Sequence, residues 1–171
     1  MKIRVFSLIL ALVLTVFCLS ACGNDGSEPE LEPVEGGEIV LKAKLVDGKI
    51  HAEVSVIENP GIAAFNLSLK FDNTKITPSE ILSSDLVSAD SIYSNLSQDA
   101  ETVKALTEVT ALYTSPSDLE GDGVLFTMVF DVLDGAAGEI EIALKAEQGG
   151  IVNEEYRDVN FTLKGGKITL E

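Results

Sequence analysis

The chain has 171 residues, with 28 Asp and Glu against 12 Lys and Arg, one His, two Cys and no Trp. A formal charge of −16 opposes nucleic-acid binding, which needs a cationic surface for phosphate. One His excludes any site built on two imidazoles, and two Cys make neither a zinc finger nor a disulfide-dense scaffold.

Lys2 and Arg4 precede an apolar run from Val5 to Leu19, shorter than the roughly 20 residues that cross a bilayer. The pattern predicts an export signal over residues 1–21. The tetrapeptide Leu19-Ser20-Ala21-Cys22, followed by Gly23, resembles the lipobox of bacterial lipoproteins. That resemblance implies cleavage before Cys22, lipidation of Cys22, and anchorage on the outer side of a bacterial cell membrane. Loss of residues 1–21 removes two cations and no acid, so the charge moves from −16 to −18. Anionic headgroups repel such a body, so the lipid has to do the holding.

Residues 22–37 continue with acidic, Pro- and Gly-containing sequence that lacks a hydrophobic period. Like charges favour extension, which predicts a tether reaching roughly 50 Å at about 3.3 Å per residue. The folded domain is expected over residues 38–171.

From Glu38 onward apolar residues recur at every second position. Ile39, Leu41, Ala43 and Leu45 form one run, and Ile50, Ala52, Val54 and Val56 form the next. Asp47-Gly48 joins them, a strong hairpin signal. Ala63, Phe65, Leu67, Leu69 and Phe71 predict a third strand that is buried on one side. Further on, SIYSNLS (residues 91–97) predicts a short strand. Residues 102–114 are read as strand, because Thr107, Val109, Thr110 and Tyr113 outweigh the helical propensity of the preceding AETVKAL. Val124, Phe126, Met128, Phe130 and Val132 alternate in turn, as do Ile140, Ile142, Leu144 and Ala146. A final run passes from Phe161 through Gly165-Gly166 to Leu170. Eight or nine strands without βα alternation predict an all-β, two-sheet sandwich.

Catalytic signals are weak. No Gly-x-Ser-x-Gly elbow and no Gly-rich phosphate loop occurs. Asp118, Glu120 and Asp122 suggest a calcium loop, but at EF-hand spacing the twelfth position is Val129 where a bidentate Glu is needed. Glu154, Glu155 and Asp158 offer carboxylates for glycoside hydrolysis, yet adjacent loop acids are expected in so acidic a chain. The sequence reads as non-enzymatic, with no cofactor.

Three stretches resemble the cohesin domain, the receptor module of bacterial cellulosomes. They are Asn59-Pro-Gly-Ile-Ala-Ala-Phe-Asn-Leu-Ser-Leu-Lys-Phe-Asp72, Gly121-Asp-Gly-Val-Leu-Phe-Thr-Met-Val-Phe130, and the tail with Asn153-Glu154 and residues 160–170. The resemblance implies a nine-stranded jelly-roll β-sandwich that binds a dockerin module, the dockerin carrying its own calcium, through a face of the third, fifth, sixth and eighth strands. On that face it places Ala64, Asn66, Ser68 and Lys70 of the third strand. It adds Tyr93, Asn95, Thr110 and Leu112 from the middle strands, with Glu154 and Tyr156 at the rim. Many cohesins of the first type have Asn and Asp at the positions of Ala64 and Asn66, a departure that bears on which partner is recognised. Two other functions suit such a sandwich. A carbohydrate-binding module needs exposed rings to stack on sugars, and the chain offers only Tyr93, Tyr113 and Tyr156, with Tyr113 expected in the core. A surface adhesion or assembly domain would keep the fold and change the partner.

Overall fold

The computed structural model describes residues 31–97 and 99–171. The expected signal at 1–21, Cys22 and the tether up to residue 30 lie outside the described residues. Strand β1 (Val34–Val46) turns back through Asp47 and Gly48, both at positive φ (50° and 79°), into β2 (Lys49–Ile57). Two positive φ values are what a tight hairpin turn requires, so the dipeptide signal is realised. The remaining strands are β3 (Ile62–Lys70), β4 (Ile76–Leu82), β5 (Ile92–Ser94), β6 (Glu108–Leu119), β7 (Gly123–Val132), β8 (Gly138–Val152), β9 (Val159–Lys164) and β10 (Gly166–Leu170).

The strands form two five-stranded sheets. The first has the order β4-β7-β2-β1-β9 and the second β10-β8-β3-β6-β5. Side chains alternate across each strand, and the inward rows of both sheets merge in one core. Phe65 of β3 is fully buried there. It stacks on Tyr113 of β6 at 5.3 Å and on Phe126 of β7, across the sandwich, at 5.9 Å. Phe71 meets Phe130 edge to face at 5.0 Å. Tyr113 is buried, as expected from the sequence.

Four expectations need correction. First, residues 102–114 are not one strand: Ala100–Lys104 form a short helix, α1. Asp99 caps it by accepting from the Thr102 N–H at 3.1 Å and from the Thr102 hydroxyl, and Glu101 pairs with Lys104 at 3.5 Å. Most of the strand-favouring residues lie later, in β6. Second, SIYSNLS is only partly strand, since a 3₁₀ turn (Ala89–Ser91) precedes β5 and Asn95 lies beyond it. Third, the first strand begins before Glu38, within the stretch read as tether. Val34 and Glu35 pair in parallel with Val159 and Asn160, and the Gly37 N–H donates to the Glu58 carbonyl. The Gly36-Gly37 pair that reads as linker lets β1 pass close to the Phe161 ring and the Ile57 carbonyl. Fourth, the final run is two strands in different sheets. β9 pairs with β1, whereas β10 pairs with β8, so the chain changes sheet at Gly165-Gly166. A side chain at Gly166 would meet the Leu41 carbonyl oxygen at 2.7 Å and its Cδ2 at 2.5 Å.

The turns are held by carboxylates. Asp72 accepts from the Thr74 hydroxyl and N–H, Asp99 from Thr102, and Asp122 from the Asn59 N–H at 3.0 Å. Those hydrogen bonds hold all three carboxyls below the usual aspartate pKa. A pKa depressed by folding stabilises the fold above the unfolded value of about 3.9, and that stabilisation disappears as pH falls through the folded value. Thermal midpoints should therefore fall as pH drops below about 4, and Asp122→Asn should lower the midpoint at neutral pH while flattening the acid limb. Calorimetric scans across that range check both. Urea unfolding checks the sheet crossing: Gly166→Ala should lose about 1–3 kcal/mol by overpacking against Leu41.

Candidate interaction face

The two outer faces of the sandwich differ in chemistry. That of the first sheet is laced by ion pairs: Lys44–Glu53 (3.4 Å), Lys49–Asp131 (2.8 Å) and Lys164–Glu38. Such exposed pairs belong to a solvated surface and contribute little to stability. The outer face of the second sheet has a centre of short polar and apolar side chains instead.

That centre follows from register. Burial of Ala63, Phe65, Leu67 and Leu69 turns Ala64, Asn66, Ser68 and Lys70 outward. Across β6, Asn66 lies opposite Leu112, Ser68 opposite Thr110 and Lys70 opposite Glu108, and Leu112 in turn lies opposite Tyr93 of β5. Tyr93 is 68% exposed and Leu112 42%, neither covered by a neighbouring element. The Ser68 and Thr110 hydroxyls share a hydrogen bond of 3.3 Å. The strands β8, β3, β6 and β5 are contiguous in this sheet, as the resemblance implied.

Asn95 is engaged in the fold. Its Oδ1 accepts from the Thr110 N–H at 2.9 Å and its Nδ2 donates to the Glu108 carbonyl at 3.2 Å. The amide thus continues the pairing of β5 with β6 for one further residue, which leaves it less free to meet a partner.

Glu154 and Tyr156 sit in the β8–β9 loop, at one end of the face. There a groove of about 380 Å³ is lined by Ala64, Thr114, Pro116, Val152, Glu154 and Tyr156, among others. Tyr156 is 87% exposed at φ 61°. Asn153 holds this turn: its Oδ1 accepts from the N–H groups of Glu155 (3.1 Å) and Arg157 (2.9 Å), and its carbonyl accepts from Tyr156 N–H (3.0 Å). Asp118 ties the loop to β6, accepting from the Glu154 N–H at 2.8 Å while Glu154 Oε2 accepts from the Asp118 N–H at 3.3 Å.

Asn59 extends the same tie. Its Nδ2 donates to the carbonyls of Leu119 (2.9 Å) and Gly121 (3.0 Å), and its Oδ1 accepts from the Gly61 N–H at 3.0 Å. Gly61, at φ 122°, leaves room for Asp118, whose Oδ2 stands 2.5 Å from where a Cβ would project. The Asn-Pro-Gly that opens the third strand and the acids of the β6–β7 turn are therefore one scaffold under the rim.

Thr114, Pro116 and Val152 belong to the groove and were missed from the sequence. Thr114 was accessible by counting two residues on from Leu112. Val152 was not, because the register of β8 with β3 shifts between Phe65 and Leu67. Among the described residues no group of His, Cys, Asp and Glu is arranged to hold a metal ion.

A search of curated proteins finds no match to the chain. Solved structures match it well in fold. A type I cohesin–dockerin complex from Clostridium thermocellum is similar at TM-score 0.64 and 22% identity, covering 78% of this chain and 98% of that one. A Clostridium acetobutylicum cohesin solved in solution is similar at TM-score 0.56 and 17% identity, over 81% of this chain and 91% of that one. A non-cellulosomal cohesin from the archaeon Archaeoglobus fulgidus is similar at TM-score 0.58 and 14% identity, over 78% and 91% respectively. At these identities the structures establish the sandwich fold. The cohesin domain family matches residues 41–170, most of the chain, and the protein belongs to that family.

Proposed function

We propose that the chain is a non-catalytic receptor that docks a dockerin-bearing protein on the outer face of its second sheet. The observation that carries this reading is the contrast between the two outer faces. Three ion pairs cross the first, whereas the second keeps its one pair, Lys167–Glu139, at the β10 edge and exposes Leu112 and Tyr93 amid short polar groups at its centre. A rigid sheet of short side chains receives a helix with little ordering entropy, and its apolar centre supplies a place for hot-spot contacts. The similar type I complex from Clostridium thermocellum pairs a cohesin with a dockerin, which supports the choice of partner. Cys22, lipidated, would hold the receptor on the outer side of the bacterial membrane, where it tethers one polysaccharide-degrading enzyme or scaffold subunit.

The exposed rings of Tyr93 and Tyr156 keep direct polysaccharide contact as a second reading. Calorimetry with calcium-loaded dockerins tests the first. Asn66→Arg and Leu112→Glu should each abolish binding without lowering the thermal midpoint, and chelating calcium should abolish it through the dockerin. Retention of the wild-type chain on insoluble polysaccharide, with no dockerin bound, would favour the second. For the anchor, Cys22→Ser should shift the exported chain from the detergent phase to the aqueous phase of a partition assay.

A further inference from the structure

Charge is distributed unevenly along the outer face of the second sheet. At the end remote from the β8–β9 loop, Lys70, Lys145 and Lys167 stand among Glu108, Glu139 and Glu141, and the charges balance. At the loop end they do not. The apolar groove beside Ala64, Pro116 and Tyr156 shares Glu154 with a second hollow of about 340 Å³, which adds Asp118 and Glu120. None of these three carboxylates has an ion-pair partner among the described residues. Arg157, the nearest cation in sequence, is engaged elsewhere: it lies 3.7 Å from Glu155 and donates its Nε to the Glu32 carbonyl at 2.8 Å.

We propose that this loop end fixes the direction of the docked helix by receiving a cationic side chain of the partner. The inference rests on the docking reading above. The occupant is an amphipathic helix whose apolar stripe covers Leu112 and Ala64 and whose Lys or Arg lies over the Tyr156 ring, between Glu120 and Glu154. Three kinds of force act in the same sense there. The ring face attracts a cation, unpaired carboxylates attract it further, and the positive N-terminal end of a helix is favoured beside them. A helix laid the other way brings its negative C-terminal end against the same carboxylates. The balanced far end exerts no such preference, so the choice is made at the rim.

The test uses the full chain and calcium-loaded dockerin modules from the organism that makes it, with calorimetry at two ionic strengths. Glu120→Gln combined with Glu154→Gln should weaken binding about tenfold and flatten its salt dependence. The side-chain amide introduced by Glu154→Gln keeps an acceptor for the Asp118 N–H, so the loop stays tied. Tyr156→Gly, which suits the positive φ, should weaken binding while leaving the fold intact. Neutralising the Lys or Arg at one end of the dockerin helix should be non-additive with the Glu changes, and Lys167→Gln should stay within about twofold of wild type. If Leu112→Glu abolishes binding but the Glu and Tyr variants bind with unchanged affinity and salt dependence, the directional role fails and the docking face stands. If no dockerin binds the wild-type chain, both fail together.

Discussion

Everything on the outer face of the second sheet depends on where Phe65 is buried. Its ring fills the middle of the sandwich, against Tyr113 in its own sheet and Phe126 in the opposite one. Because side chains in a strand alternate, fixing Phe65 inward fixes Ala64 and Asn66 outward, and a slip of one residue would invert the whole row. Register then passes sideways through β6, setting Leu112 beside Asn66 and Tyr93 beside Leu112. A flat face of small side chains is thus the external image of a large aromatic core. Removing the ring should cost about 3–5 kcal/mol, the range for a buried Phe cut to Ala.

The rim obeys a different rule. Residues 153–157 have no strand register to place them, so polar ties do so: Asn153 within the loop, Asp118 across to β6, and Asn59 across to the β6–β7 turn. The same acids that could be mistaken for a calcium loop hold backbone N–H groups. Asp122, in the Gly-rich turn, and Asp118, near the end of β6, both use carboxylate oxygens in that way. A single network therefore couples the entry of the third strand to the end of the face that carries Tyr156.

β1, β2, β3 and the first half of β8 were legible from the sequence because one face of each is buried and the other is not; β7 kept its alternating run although Leu125 and Val129 bury its other face too. The Asp47-Gly48 turn was legible for a similarly local reason. What escaped depends on contacts distant in sequence. Gly36-Gly37 looks like linker until β9 lies alongside it, and the Phe161–Leu170 run looks continuous until the two halves find different sheets. Residues 99–105 carried both helix and strand signals, and the Asp99 cap decided for helix. In the site, the β3 row and Leu112 followed from alternation and the resemblance together. Of the groove, Glu154 and Tyr156 came from the resemblance, whereas Val152 did not, since it reaches the groove only past a shift in the register of β8.

The early start of β1 has a mechanical consequence. β1 pairs in parallel with β9 from Val34 to Val40 and antiparallel with β2 from Glu38 to Val46, the two ladders overlapping at residues 38–40. Tension applied ahead of Val34 along the strand axis meets those hydrogen bonds side by side, in shear, so that many must yield together. The same pull directed across the strand would instead peel it open bond by bond. The first strand is built to carry a pull into the sandwich without unravelling it.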